Sequence, residues 1–292
     1  MEQEQADNSK SKMDRRKFIS SGFLGYVGVL LSPVAVLYES SHIEPNWPAV
    51  TKYDVEIPGY PADAEPLDIV QLSDLHRGHF VSEEHIRKLV PLCNKLSPDI
   101  VVITGDFVSR KTEYAASCVE ALSGLTSRIG IFGVMGNHDY WAVGKENVFK
   151  DLGAGGIRMI KNGNVELKEN VWLIGIDDEW AGKPDIPKAF EGVPENAARI
   201  VMTHSPKTFA EIRDMNVFAM VGHTHGGQCT IPFVTRKYIR GMLGCEHLKG
   251  WYAEGNSRLY VNRGIGMVTP PLRFFCRPEI TRFTCGPVKE IS

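Results

Sequence analysis

Short apolar runs recur along the chain and predict buried β-strands. Five of them lie at residues 69–72, 100–103, 131–134, 200–202 and 218–221. These runs are rich in β-branched residues and show little alternation with polar residues, as is typical of strands buried on both faces. Helical stretches occur between strands at residues 82–96 and 114–125, with Pro91 predicting a kink or a helix start in the first. The pattern predicts an α/β fold built from layers.

Each of the five runs is followed by side chains that can bind a metal. The motifs are Asp74-Leu75-His76, Gly105-Asp106, Gly136-Asn137-His138-Asp139, His204 and Gly222-His223-Thr224-His225. Sites in α/β sheets gather beyond the carboxyl ends of the strands, so one arrangement brings all five motifs to a single edge. The combination of carboxylate, amide and imidazole ligands predicts a metalloenzyme.

The spacing of residues within the motifs supports a metal site, but each motif taken alone has another explanation. Asp74 and His76 are two residues apart, so their side chains point the same way in an extended chain. His223 and His225 repeat that spacing. Asp74 and His76 alone would also fit a solvent-facing pair at a strand end. Asp106 ends the most apolar strand, where a carboxylate is costly unless it is paired or binds metal, although a helix cap is the alternative.

The order of the motifs is more specific than any one of them. A lone His204 is more typical of a buried core residue, and Asn137-His138-Asp139 alone fits a polar turn. As an ordered set, extended by Gly226-Gly227-Gln228, they resemble the calcineurin-like metallophosphoesterases over residues 66–284. The chain is similar to a bacterial branch of that family, which includes twin-arginine-exported phosphodiesterases and UDP-2,3-diacylglucosamine pyrophosphatases of lipid A synthesis.

The resemblance implies a fold and a ligand set. The fold is a four-layer α-β-β-α sandwich, with two mixed sheets flanked by helices. Two divalent ions, which could be manganese, iron, zinc or cobalt, hold a bridging hydroxide that attacks phosphorus. The first ion takes Asp74, His76, Asp106 and His225. The second ion takes Asp106, Asn137, His204 and His223.

The resemblance also implies catalytic residues that bind no metal. His138 approaches the substrate phosphate, where it steadies charge or protonates the leaving oxygen, and Asp139 orients the His138 imidazole. A rival interpretation is a non-catalytic scaffold, since some family members keep the fold and lose the ligands. All the expected positions are intact in this chain, which favours an enzyme.

The predicted reaction is hydrolysis of a phosphodiester or pyrophosphate bond. Arg240, Arg263, Arg273 and Arg277 could bind a phosphate or pyrophosphate, although ordinary surface charge is an equal alternative for each. One candidate substrate is a lipid precursor similar to UDP-2,3-diacylglucosamine. The alternative is an unrelated phosphoester of the cell envelope.

The amino-terminal residues 1–40 are expected to be a twin-arginine signal or a membrane anchor. Residues 15–19, Arg-Arg-Lys-Phe-Ile, match the twin-arginine pattern, and an apolar stretch follows over residues 18–38. Its length also suits a spanning helix. Either interpretation predicts membrane association or export, with the catalytic domain outside the cytoplasm. UDP-linked lipid A precursors are made on the cytoplasmic side, which conflicts with export.

Residues 41–52 are predicted to be a linker, and residues 53–288 the catalytic domain. The 292 residues, 43% of them hydrophobic, suit one large domain or two small ones, and the spread of the motifs along the chain favours one. A net charge of -2 and an isoelectric point near 6.5 give no reason to expect nucleic-acid binding. The expected partners are a small phosphorylated or lipid-linked substrate and the twin-arginine translocation machinery.

Overall fold

A computed structural model describes residues 33–142 and 144–288. The chain divides into two units, Met1–Ile43 and Glu44–Ser292. In the first unit, residues 33–38 are helical and Glu39–Ile43 forms a π-helical turn. The twin-arginine pattern at residues 15–19 lies outside the described residues. Within the described part, no helix combines the length and apolar character needed to cross a membrane.

In the second unit, twelve strands of the described chain form two six-stranded sheets. The strands are β1 (Ala49–Glu56), β2 (Leu67–Leu72), β3 (Ile100–Thr104), β4 (Gly130–Val134), β5 (Ile157–Met159), β6 (Gly163–Lys168), β7 (Val171–Gly175), β8 (Ala198–Met202), β9 (Val217–Val221), β10 (Gly250–Glu254), β11 (Ser257–Val261) and β12 (Glu279–Gly286). One sheet has the order β1-β12-β2-β3-β4-β5 and the other β10-β11-β9-β8-β7-β6. Each contains both parallel and antiparallel pairs, so both are mixed sheets.

Helices connect the strands on the outside of the sheets. They are α1 (Glu83–Arg87), α2 (Val90–Asn94), α3 (Glu113–Leu122), α4 (Asn137–Tyr140), α5 (Lys145–Ala154), α6 (Ile186–Ala189), α7 (Phe209–Ile212) and α8 (Val234–Leu243). The helical stretch predicted at residues 82–96 is two short helices, and Pro91 lies in the first turn of the second. Proline is tolerated there because the first N–H groups of a helix have no intrahelical partner.

Alternation along the strands divides their side chains among three apolar layers. In β3, Val101 and Ile103 pack with the helices α1, α2 and α3, whereas Ile100 and Val102 face the second sheet. In β8, Ile200 joins the layer between the sheets, and Val201 packs against α7. Because both faces of the central strands are covered, these strands lack polar alternation. The predicted four-layer α-β-β-α architecture is confirmed.

The folded domain begins earlier than the sequence predicts. The linker predicted at residues 41–52 is corrected, because β1 starts at Ala49 and runs parallel to β12 from Ala49↔Glu279 to Glu56↔Gly286. Glu44 is also buried, and its carboxylate accepts hydrogen bonds from the backbone N–H groups of Phe275 and Cys276. Residues 44–52 therefore belong to the domain.

The topology places the motif-bearing strand ends together. Strands β2, β3 and β4 are parallel neighbours in one sheet, and β8 and β9 are parallel neighbours in the other. The carboxyl ends of parallel neighbours meet at the same edge of a sheet. All five motifs follow these five strands.

Candidate metal centre

Five of the seven predicted ligand residues have left-handed backbone conformations. Their φ angles are 51° for Asp74, 48° for His76, 55° for Asp106, 72° for His223 and 53° for His225. Non-glycine residues rarely adopt positive φ, and each instance costs free energy that the surrounding structure must offset. Such strain typically gathers at functional sites, where it aims a side chain that a relaxed backbone would direct elsewhere.

The first group of ligand atoms comes from the segments that follow β2, β3 and β9. His76 Nε2 lies 3.0 Å from His225 Nε2 and 3.3 Å from Asp106 Oδ2. His225 Nε2 lies 3.4 Å from Asp74 Oδ1. Two imidazoles and two carboxylates therefore converge on one small volume, and all four residues are buried.

The second group shares the Asp106 carboxylate with the first. His204 Nε2 lies 3.3 Å from Asp106 Oδ2, 3.1 Å from Asn137 Oδ1 and 3.2 Å from His223 Nδ1. The single atom Asp106 Oδ2 is thus equidistant from His76 Nε2 and His204 Nε2. That arrangement suits a carboxylate that joins two neighbouring ions.

The hydrogen bonds on the far sides of the rings direct lone pairs into the site. His204 Nδ1 lies 2.8 Å from the carbonyl oxygen of Thr104, so this nitrogen must be the donor. His76 Nδ1 lies 3.3 Å from Ser109 Oγ, whose own proton goes to the His76 carbonyl oxygen. In the neutral tautomers that these contacts assign, both Nε2 atoms are acceptors that face other acceptors. A cation between them resolves that conflict, so the donor set fits divalent metal ions.

The pKa shifts in the centre reflect a balance between burial and the charges of neighbouring groups. Burial lowers the pKa of His204, but the carboxylates of Asp106, Asp74 and Asp178 together raise it well above its ordinary value. Burial raises the pKa of Asp106, yet the imidazoles of His204 and His76 bring it well below its ordinary value. Burial lowers the pKa of His223 to about 3 and also lowers that of His225. The low pKa values favour neutral imidazoles at His223 and His225, and the neutral ring is the form that binds metal.

Two glycines allow the backbone to approach the carboxylates closely. A Cβ atom at Gly222 would lie 2.2 Å from Asp74 Oδ2, and one at Gly136 would lie 2.3 Å from Asp106 Oδ1. Both distances are far below van der Waals contact. The glycines of the motifs are therefore required by the geometry of the carboxylates that they surround.

The predicted role of Asp139 is corrected by its contacts. Its Oδ1 accepts a hydrogen bond from the Val108 N–H at 3.0 Å, and its Oδ2 accepts one from the Gly136 N–H at 2.9 Å. Both oxygens are engaged by backbone, so Asp139 ties the loop after β3 to the turn before α4 instead of orienting His138. The His138 N–H donates to Asp106 Oδ1 at 2.8 Å, and the edge of its ring meets His76.

Exposed aromatic side chains line the mouth of the site. Trp141 packs 5.1 Å from the His138 ring and 5.6 Å from Trp180, which lies 5.1 Å from the His223 ring. Arg110 stacks over Trp141 at 5.1 Å. We call Trp141, Trp180 and Arg110 the aromatic wall. Both tryptophans are exposed, which distinguishes them from core residues.

The four arginines proposed to bind substrate have different partners. Arg240 is exposed and pairs with Glu246 at 2.7 Å, and Arg263 pairs with Glu279 at 3.1 Å. The Arg277 guanidinium stacks on Trp47 and donates to its carbonyl oxygen. Each of these three guanidinium groups therefore has a partner within the protein, and binding of a phosphate by any of them stays a prediction.

Arg273 is a structural residue, which corrects its predicted role. It is 0% exposed, so no substrate can reach it. Its guanidinium donates to four carbonyl oxygens, those of Arg263, Gly264, Gly266 and Cys276. Gly264 and Gly266 in turn pack against Asp74 and Leu75. Arg273 thus fixes the loop that supports the first ligand motif.

Replacing Arg273 with methionine is expected to lower the free energy of unfolding by at least about 3 kcal/mol, because several buried carbonyl groups lose their donor. Lysine should restore only part of the loss, since an ammonium cannot reproduce the planar fork. Urea denaturation measures both variants. Arg240→Met is the matched control, with an exposed side chain and an expected effect near zero. A stable Arg273→Met variant would refute the structural role.

Known proteins match this chain along most of its length. The family profile for calcineurin-like phosphoesterases matches residues 67–236. The uncharacterized metallophosphoesterase YkuE of Bacillus subtilis is 30% identical, over 94% of this chain and 98% of its own. The UDP-2,3-diacylglucosamine pyrophosphatase LpxG of Chlamydia trachomatis is 29% identical, over 92% and 98%. The phosphodiesterase YaeI of Escherichia coli is 30% identical, over 82% and 89%.

The profile covers the strands that carry all the ligand motifs, and the ordered motifs follow the strands as the sequence predicted. Asp and His side chains stand close enough together to hold a metal ion. The fold, the donor set and the relatives agree on a metal-dependent hydrolase of phosphoesters. The chain belongs to the calcineurin-like phosphoesterase family.

Proposed function

We propose that this protein hydrolyses a phosphodiester or pyrophosphate bond with the help of two divalent metal ions. The observation that carries the proposal is the shared Asp106 carboxylate, whose Oδ2 lies 3.3 Å from both His76 Nε2 and His204 Nε2. Asp74, His76 and His225 would hold the first ion together with Asp106.

The second ion would be held by Asp106, Asn137, His204 and His223. When bound, divalent ions would polarise the phosphoryl oxygens and lower the pKa of a water molecule. Neighbouring groups of the chain fix the orientation of the metal-binding side chains. Thr104 and Ser109 fix the ring orientations of His204 and His76, and the glycine turns bring carboxylates and backbone together.

His138 is the residue that we assign to the substrate phosphate. It lies at the edge of the centre, between His76 and Trp141, and its backbone N–H is held by Asp106. Its buried Nδ1 has no hydrogen-bond partner within the described structure. An imidazole in this place can donate a hydrogen bond to a phosphoryl oxygen or protonate the leaving oxygen.

The favoured substrate is a phosphodiester or pyrophosphate that carries a planar or apolar group. The names of two relatives, a UDP-2,3-diacylglucosamine pyrophosphatase and a phosphodiesterase, support these bond types. The aromatic wall supports the attached group, since Trp141 and Trp180 offer exposed ring surface beside the centre and Arg110 offers positive charge. A lipid precursor similar to UDP-2,3-diacylglucosamine has both chemical features.

A comparison of substrates tests the proposal. Purified full-length protein supplied with manganese is expected to cleave bis(p-nitrophenyl) phosphate faster than p-nitrophenyl phosphate. If the lipid assignment is correct, kcat/KM for UDP-2,3-diacylglucosamine will exceed that for the synthetic diester. Activity on the monoester alone would contradict the proposed bond class. Activity on the diester without the lipid would favour another phosphodiester of the cell envelope.

A further inference from the structure

The half of helix α8 that faces water carries apolar side chains. Only Thr235 and Ile239 of this helix are buried. Val234, Tyr238 and Met242 are 57%, 64% and 53% exposed. Their spacing of four residues places them in one stripe along the helix. Water-facing helix surfaces usually carry charged side chains instead, so this stripe has no explanation within the folded chain.

The apolar surface continues ahead of the helix. Ile231 is 50% exposed and Phe233 is 95% exposed, so the Phe233 ring has almost no contact with the protein. Phe233 also has a left-handed backbone with φ 62°. A bulky residue in that region is a conformational outlier, and strain of this kind typically accompanies function. Phe275, exposed with φ 50°, repeats the combination.

The backbone beside Phe275 pairs with the segment that leads into the helix. The neighbouring residue, Phe274, donates to the Gln228 carbonyl oxygen at 3.0 Å and accepts from the Thr230 N–H at 2.7 Å. We call Ile231, Phe233, Val234, Tyr238, Met242 and Phe275 the α8 surface. Exposed apolar side chains grouped in this way mark an interaction site.

The charges beside the stripe identify the partner. Arg236, Lys237 and Arg240 lie on the other exposed side of α8, and the helix contains no acidic residue. Arg240 pairs with Glu246, whereas within residues 33–142 and 144–288 neither Arg236 nor Lys237 forms an ion pair. A helix with an apolar stripe and a basic flank is the pattern of segments that lie in the interface of an anionic membrane.

Helix α8 is attached directly to the loop that carries two metal ligands. Thr235 Oγ1 donates to the Cys229 carbonyl oxygen at 2.6 Å and accepts from the Ile231 N–H at 2.8 Å. A Cβ atom at Gly227 would lie 2.2 Å from Thr235 Cγ2. A surface bound through α8 would therefore lie next to the turn that holds His225.

We propose that the α8 surface docks the catalytic domain on an anionic lipid bilayer. The apolar side chains insert at the boundary between headgroups and acyl chains, and Arg236 and Lys237 contact the anionic headgroups. This contact is made by the folded domain itself and is separate from any membrane association through residues 1–40. It does not depend on the proposed catalytic reaction.

A tryptophan probe reports on this surface alone. Full-length Phe233→Trp protein is mixed with vesicles of phosphatidylglycerol and phosphatidylethanolamine, with and without brominated acyl chains. Ile129→Trp is the matched control, because Ile129 is exposed but precedes β4, at the sheet edge opposite the metal centre. Wild-type protein provides the baseline for the five native tryptophans. Retained phosphoesterase activity shows that both variants are folded.

If the surface docks on the bilayer, the tryptophan fluorescence of Phe233→Trp protein should shift to shorter wavelength and be quenched by the brominated lipids. The fluorescence of Ile129→Trp protein should show neither change. Quenching of the Phe233→Trp probe should be weaker with brominated phosphatidylcholine vesicles, which lack anionic lipid, than with the anionic vesicles. It should also be weaker when Arg236→Gln and Lys237→Gln are added to the Phe233→Trp protein. An unquenched Phe233→Trp probe overturns the proposal, even if the protein sediments with the vesicles. A blue shift that appears without lipid and grows with protein concentration also overturns it, and assigns the surface to a second copy of the chain.

Discussion

Replacing Asp106 with asparagine is expected to lower kcat/KM for phosphodiester hydrolysis by roughly a thousandfold or more. The loss of several kcal/mol of charge stabilisation corresponds to that range. Asparagine has nearly the same shape and keeps an oxygen for the His138 N–H, but it replaces the anionic oxygen that lies between His76 and His204 with a neutral group. Steady-state kinetics with saturating manganese measure the effect.

Asp99→Asn is the matched control for this variant. Asp99 lies at the opposite end of β3, where it accepts from the Asp68 N–H and pairs with Arg128. Its loss should leave kcat/KM close to the wild-type value. Equal activity of wild type and Asp106→Asn would refute a metal centre that is joined by this carboxylate.

The His138→Ala variant is expected to lose about 10²- to 10⁴-fold in kcat, the range typical of a general acid or base. Its metal content should stay unchanged, because the seven proposed ligands remain. The loss should appear mainly in kcat, since the imidazole acts on charge that develops in the transition state. Kinetics and metal analysis of the same preparation separate this residue from the ligands.

His79→Ala provides the comparison for His138→Ala. His79 follows the first ligand motif closely, but its side chain is exposed and packs beside Phe80. Its removal should leave kcat unchanged. A His138→Ala variant that loses metal instead of catalytic rate would show that His138 is a ligand, which its distance from the His76 and Asp106 ligand atoms also permits.

The apolar runs predicted α/β layers, and the resemblance carried by the ordered motifs implied the four-layer arrangement. Runs such as residues 100–103 contain alternating side chains for two different apolar layers, so they are apolar throughout. The polar residue that follows each run is then conspicuous. Parallel pairing then explains why the motifs meet, since it places the carboxyl ends of neighbouring strands at common edges. The strands concerned are β2, β3, β4, β8 and β9.

The supporting contacts were not predictable in the same way. The carbonyl oxygen of Thr104, which orients His204, carries no side-chain signal in the sequence. The placement of Trp141 and Trp180 depends on loops whose path no periodicity specifies. For Asp139 the sequence suggested a role that the contacts do not support. A carboxylate next to a catalytic histidine can equally bind the backbone N–H groups of a tight turn.

The arginines show why residue type alone does not assign a binding role. Arg273 is charged and close in sequence to the other candidates, but its guanidinium replaces water for a set of buried carbonyl groups. Burial of a charge is tolerated when its hydrogen bonds are satisfied within the protein. Only the three-dimensional contacts distinguish that role from binding a phosphate.

The most direct test of the account is the metal content of the purified protein. Wild-type protein loaded with manganese, freed of excess ion and measured by mass spectrometry should retain two ions per chain, and chelation should remove ions and activity together. Asp106→Asn should retain one ion or none. Wild-type protein that hydrolyses the diester without retaining metal, or an Asp106→Asn variant that retains two ions and full activity, would contradict the account.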